Sequence, residues 1–143
     1  NKVEVILDNE HSLPATEDDD VDQPYKTPAA LQKAGVLFAL NDIHDQSRFR
    51  NLAFNAGTAA AYGLDKEQAL TAITLNTAKV LGIDAMTGSL EVGKDANILV
   101  SNGDALDMRG NVFTKAFIQG RDVSLDNKHK QLYERYKYKY GIQ

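Results

Sequence analysis

The sequence predicts an α/β chain: a strand–helix–strand unit with parallel strands, further helices, a small β unit and a helical tail. Three observations carry this reading. Residues 36–40 (Val-Leu-Phe-Ala-Leu) form an unbroken apolar run, which suits a strand buried on both faces. A β-branched run (Val3, Val5, Ile6, Leu7) lies one helix-length upstream, and strand, helix, strand in that order implies parallel pairing with a right-handed crossover. Beyond residue 88 the hydrophobic period changes from helical to alternating, and glycine turns recur.

Taken in order, the first strand runs out at Asp8-Asn9-Glu10-His11, which leaves His11 just past a strand end. Two roles fit it, a plain surface loop residue or a group facing a site. Residues 16–23 are acidic and turn-like. Asp18, Asp20 and Asp22 alternate as in a calcium loop, but the required glycine and closing glutamate are missing, so a solvated loop is expected. Thr27 and Pro28 suit an N-cap and first helical position, and Gly35 suits a left-handed C-terminal cap.

The buried run 36–40 then stops at Asn41 and Asp42. Ligands gather at the carboxyl ends of parallel strands, so a carboxylate here is a functional candidate. The competing reading is that Asn41-Asp42 only turns the chain.

Residues 49–62 are alanine-rich and helical, with Leu52, Ala56, Ala59 and Ala60 on one face and Gly63 at the end. Asp65 caps the next helix, with Gln68 three residues on as in a capping box. Leu70, Ile73, Thr77 and Leu81 keep helical spacing up to Gly82, and Asn76-Thr77 is a candidate break. Residues 90–92 alternate, Gly93-Lys94-Asp95 turns, and 96–100 is an apolar strand. Residues 112–118 and 122–125 make a hairpin through Gln119-Gly120. Residues 128–140 are rich in Lys and Tyr, with Leu132, Tyr136 and Tyr140 (and Tyr133 beside them) as a helical stripe expected to pack back on the body.

Composition narrows the function. The chain has 143 residues, 43% of them hydrophobic and 25% charged, as in an ordinary globular protein. A net charge of −4 argues against a general nucleic-acid binder. No apolar run reaches membrane-span length, and no signal-peptide pattern opens the chain. The absence of cysteine excludes disulfides and thiolate metal sites, but does not choose between cytoplasm and periplasm. The chain starts at Asn1 without a methionine, so a processed or truncated protein is expected.

The runs Asn76-Thr77-Ala78-Lys79-Val80-Leu81-Gly82, Gly93-Lys94-Asp95-Ala96 with its following apolar strand, and Phe117-Ile118-Gln119-Gly120-Arg121-Asp122-Val123 together resemble the C-terminal end of metal-dependent amidohydrolases, most closely the imidazolonepropionase-related branch. The resemblance covers most of residues 30–125. It implies a (βα)8 barrel with a small β-sandwich. Residues 1–84 would be the last two βα units and a following helix, 85–125 a sandwich segment, and 126–143 a helical tail. The family places a metal-binding aspartate after its eighth strand, and Asp42 is the residue that matches. The resemblance implies that Asp42 holds a divalent ion, zinc in the usual case, accepts a proton from the attacking water and passes it to the leaving nitrogen.

The family's His-x-His pair does not occur, and His11, His44 and His129 have no zinc-site spacing. A whole barrel needs about 250 residues. The chain therefore looks like a C-terminal fragment of a longer amidohydrolase, itself inactive and without bound metal. The parent would hydrolyse C–N bonds of a small amide, cyclic amide or dipeptide. The fragment should self-associate or pair with the missing N-terminal part. Two alternatives stay open: a catalytically inactive binding protein on the same scaffold, and a free-standing interaction module built on the β unit and tyrosine-rich tail.

Overall fold

The computed structural model describes residues 3–8, 11–14, 16–42 and 49–142. Strand β1 (Val5–Leu7) pairs in parallel with β2 (Phe38–Leu40), Val5 opposite Phe38 and Leu7 opposite Leu40. The ladder extends through Val5 N donating to Leu37 O (3.0 Å) and Asn41 N to Leu7 O (2.8 Å). The regular strand is thus two residues shorter than the apolar run. All three of its residues are 3% exposed, the two-faced burial expected of such a run.

Helix α1 (Gln23–Lys33) begins four residues before the expected N-cap at Thr27. Pro24 occupies the first turn, where a missing N–H costs nothing. Thr27 is instead an interior residue whose hydroxyl donates to Gln23 O (2.8 Å). Pro28, inside the helix, is fully buried, and its packing offsets the bond it cannot donate. Gly35 closes the helix as expected: its φ is +69°, and Val36 N donates to Leu31 O (3.1 Å).

A 3-10 turn (Phe49–Asn51) leads into α2 (Leu52–Ala61), which buries Asn55, Ala56 and Ala59. Helix α3 (Lys66–Ala72) is capped by Asp65, whose side chain accepts from Gln68 N (3.0 Å). The reciprocal half of the box comes from elsewhere, since Asp65 N donates to Gln32 Oε1 (3.4 Å). Helix α4 (Leu75–Val80) comes after a break at Ile73-Thr74, three residues before the expected one. The Thr74 and Thr77 hydroxyls donate to Leu70 O (2.8 Å) and Ala72 O (3.0 Å), which stabilises the loosened end of α3. The break resets the helical phase. Ala69, Ala72 and Ala78 are buried, while Leu70 and Leu81 of the expected stripe are exposed.

The remaining strands, β3 (Ile98–Ser101), β4 (Phe113–Ile118) and β5 (Arg121–Val123), form one antiparallel sheet in that order. Gln119 (φ +50°) and Gly120 (φ +76°) make the hairpin turn with two left-handed residues. Residues 90–92 form no strand, and Leu90 and Val92 are exposed, because the turn that bonds Lys94 N to Glu91 O (3.2 Å) claims this stretch. The Lys94 ammonium bonds Ser89 Oγ (2.6 Å) and Glu91 Oε1 (3.1 Å). Asn97 Oδ1 accepts from Gln119 N (2.9 Å), and Ala96 O from Gly120 N (3.0 Å). The Gly-Lys-Asp-Ala turn and the hairpin turn are thereby tied together.

Helix α5 (Lys128–Tyr140) is capped by Asn127, whose side chain accepts from His129 N and Lys130 N, both at 3.0 Å. It buries no residue, so the expected packing of its tyrosine stripe on the body is not met. No helix among the described residues is long and apolar enough to cross a membrane.

The core lies around β2 and gathers Phe38, Leu40, Ala56, Ala59, Leu64, Ala69 and Ala72. Leu106, from the residues between β3 and β4, joins it by lying on α2 where Gly57 leaves room. A Cβ at Gly57 would sit 2.2 Å from Leu106 O. Gly57→Ala should therefore cost about 1–3 kcal/mol in a urea titration. Gly110→Ala, with nothing within 4 Å of its Cβ, should stay within about 0.5 kcal/mol. Equal effects would remove the contact from the account.

Candidate functional site

Asp42 lies two residues beyond β2, at the carboxyl end of the strand, and is 3% exposed. Its burial is set by the strand before it: the core that covers Leu40 also covers the start of the loop. Asn55 on α2, 4% exposed, donates from Nδ2 to Asp42 Oδ2 at 3.1 Å. The amide holds one carboxylate oxygen and so fixes the plane of the group. Being uncharged, it does this without neutralising the carboxylate, as a lysine or arginine at position 55 would.

Asn55 is the site residue that sequence reasoning missed. The signal was present: in Leu-Ala-Phe-Asn-Ala-Gly-Thr, Asn55 falls on the same stripe as Leu52, Ala56 and Ala59. A polar side chain on a buried stripe needs a partner, and its partner is Asp42. A second buried amide, Asn76, donates from Nδ2 to Phe38 O at 3.0 Å. It joins α4 to β2 four residues ahead of Asp42.

His11 is exposed, and its Nε2 lies 3.1 Å from Thr58 Oγ1 on α2, with the ring edge-on to Tyr25. Thr58 is three residues beyond Asn55, so Asp42 and His11 address α2 one turn apart. His129 is exposed in the first turn of α5, where its backbone N–H is bonded to Asn127. His44 lies outside the described residues. Among the described residues no three of His, Cys, Asp and Glu converge to hold a metal ion.

A groove between α2 and residues 104–109 is lined by His11, Phe54, Tyr62, Lys66, Met108 and Arg109, and Asp42 is not part of it. Its charges are paired, Lys66 of α3 with Asp104 at 2.5 Å, and Arg109 with Asp107 of its own segment at 3.0 Å. The Lys66 hydrogen bond, followed by the Leu106 N–H, holds the Asp104 carboxyl below the usual carboxylate range, and the same bond raises the Lys66 ammonium.

The sequence profile of the amidohydrolase family matches residues 29–124. An imidazolonepropionase of Thermoplasma volcanium is 35% identical over 86 residues, 59% of this chain and 21% of that protein. Among solved structures, an amidohydrolase from Thermotoga maritima superposes with a TM-score of 0.74 at 31% identity, over 86% of this chain and 32% of its own. An adenosine deaminase from Xanthomonas campestris, solved with bound zinc, gives a TM-score of 0.57 over 80% of this chain and 33% of its own. At 23% identity that likeness is one of fold. The chain spans about a fifth of the curated relative and about a third of these solved structures.

The geometry leads to two expected outcomes. Removing the amide donor by Asn55→Ala should destabilise the fold by about 2 kcal/mol. In an Asp42→Ala background the same change should cost less by at least about 0.5 kcal/mol in a double-mutant cycle; additive losses would mean the bond contributes nothing of its own. The Asp104–Lys66 pair should contribute stability above pH 3.8, the ordinary carboxyl value, and lose it as the pH falls through the lowered folded value. The melting-temperature advantage over Asp104→Asn should thus be present at neutral pH and vanish in acid. An advantage unchanged in acid would contradict this.

Proposed function

The chain belongs to the amidohydrolase family, and we propose that it is the C-terminal portion of a metal-dependent enzyme that hydrolyses a C–N bond in a small cyclic or open amide, dipeptides included. The observation that carries this reading is the buried Asp42 at the carboxyl end of a parallel strand. In this reading β1, α1, β2 and α2 are the last two βα units of a (βα)8 barrel, residues 85–125 belong to its β-sandwich, and residues 126–143 form the tail.

Among the described residues no three of His, Cys, Asp and Glu converge, so a metal held by Asp42 would draw further ligands from chain outside them. A divalent ion, when bound, would acidify water enough to make it a nucleophile near neutral pH. Asp42 would accept the proton of the attacking water and deliver it to the leaving nitrogen, since an amine leaves only once protonated. Asn55 would keep the carboxylate in the plane this transfer needs. The relatives support a small-molecule substrate, and the acidic charge of the chain supports no role in binding nucleic acid.

The test assays the full-length protein and its Asp42→Asn variant on amides, lactams and dipeptides, with metal content and melting temperature measured beside the rates. The variant is nearly isosteric and should fold, but turnover should fall by about a hundredfold or more, because an amide cannot accept the proton. Undiminished turnover would remove Asp42 from the mechanism. Hydrolysis by the 143-residue chain alone would overturn the reading of it as one portion of a site. A full-length protein that binds metal and amide without turnover would make the scaffold a binding protein.

A further inference from the structure

We propose that α5 is an association element that docks on the acidic loop of a second copy of this chain. The observations are independent of the activity proposed above. At about 100° per residue, His129, Leu132, Tyr133, Tyr136 and Tyr140 fall on one side of α5. Lys130 and Lys137 flank this stripe on one side, and Lys128 and Lys139 on the other. Tyr133, Tyr136 and Tyr140 are 62%, 51% and 64% exposed. The stripe is nevertheless organised: the Tyr136 and Tyr140 rings stack at 6.2 Å, and Lys137 Nζ lies 5.7 Å from the Tyr133 ring centre.

The choice of occupant rests on charge. The helix holds five of the chain's 16 basic residues and one of its 20 acidic ones, so it carries +4 and the rest of the chain −8. Five of those acids, Glu17, Asp18, Asp19, Asp20 and Asp22, fall within six positions of the loop before α1. Asp20 is held by Lys26, but among the described residues neither Glu17 nor Asp18 has a cation partner. Leu13 (84% exposed) and Val21 (70%) stand beside them and offer apolar contact to the rings. Tyrosine hydroxyls need polar partners when covered, and carboxylates accept from them as well as from lysines. The loop supplies both kinds of contact, carboxylates for the hydroxyls and lysines, and Leu13 and Val21 for the ring faces. Because each copy carries both surfaces, two copies can exchange the contact reciprocally.

The experiment is a charge swap read by sedimentation velocity on the 143-residue chain, with far-UV circular dichroism to confirm helix content. The wild-type chain should associate reversibly, and roughly tenfold more weakly in about 0.5 M salt than in about 0.05 M. A helix-reversed chain (Lys130→Glu, Lys137→Glu, Lys139→Glu) and a loop-reversed chain (Glu17→Lys, Asp18→Lys, Asp22→Lys) should each be monomeric alone. Mixed, they should form a heterodimer, since each helix then meets a loop of opposite sign. Association that ignores the reversals, or a mixture that stays monomeric, would overturn the proposal. So would a monomeric wild type that binds phosphatidylserine vesicles through α5.

Discussion

The burial of β2 on both faces is the constraint on which the rest of the structure depends. Phe38, Ala39 and Leu40 each keep only 3% of their surface, so every backbone group of the strand needs a protein partner. Carbonyls alternate sides along a strand, and Leu37 O already accepts from β1; Phe38 O therefore points to the opposite edge. There Asn76 supplies the donor, from a helix 38 residues further along. One amide thus stands in for a neighbouring strand at that point. The same burial shapes the loop after the strand. The chain leaves the core at Asn41-Asp42, and Asp42 is still inside the covered zone when it does so.

Alanine makes this packing possible. Ala56, Ala59, Ala69, Ala72 and Ala78 face inward, and small side chains let α2, α3 and α4 approach a three-residue strand closely. The consequence is a core with little apolar area per residue, which at about 25 cal/mol per Å2 contributes little stability. Larger side chains reach it from outside: Leu64 beyond α2, and Leu106 from the far side of β3. The Gly57 position shows how tight that second approach is. A backbone carbonyl occupies the volume a methyl group would need, so the contact depends on a residue that has no side chain at all.

Much of this is legible in the sequence, and the failures share a cause. The parallel pair, the Gly35 cap, the Asp65 cap and the Gln119-Gly120 turn are fixed by local chemistry, such as an unbroken apolar run, a left-handed glycine or a carboxylate over a free N–H. The start of α1 is misplaced because Thr27-Pro28 has the local features of a helix start, while burial of Pro28 is a tertiary fact. The face of α3 and α4 is misplaced because Leu70 and Leu81 outrank alanine in hydropathy, yet only alanine fits against β2. The tail is expected to pack because its tyrosines are large, and periodicity does not say whether a partner surface exists in the same chain. Asp42 stands out by its place after a buried strand. Asn55 is overlooked because its run reads as an alanine-rich helix, though one polar residue on that stripe is the stronger signal.

The Asp42–Asn55 pair joins stability to chemistry. A carboxylate at 3% exposure is costly to keep, and a hydrophobic residue of similar size would serve the core better. In the function proposed above, its place at the mouth of a parallel strand pair suits a proton-transferring group, which requires shielding from bulk water and a fixed plane. Asn55 would meet the second need at the expense of a polar atom in the core, Oδ1, which has no hydrogen-bond partner among the described residues. Asn55 stabilises the fold only while Asp42 is there to be bonded; apolar residues at both positions together would serve the core better than the pair does. Two buried polar side chains bonded to each other at the carboxyl end of β2 are a local departure from good core design, and such departures are where a functional reason is sought first.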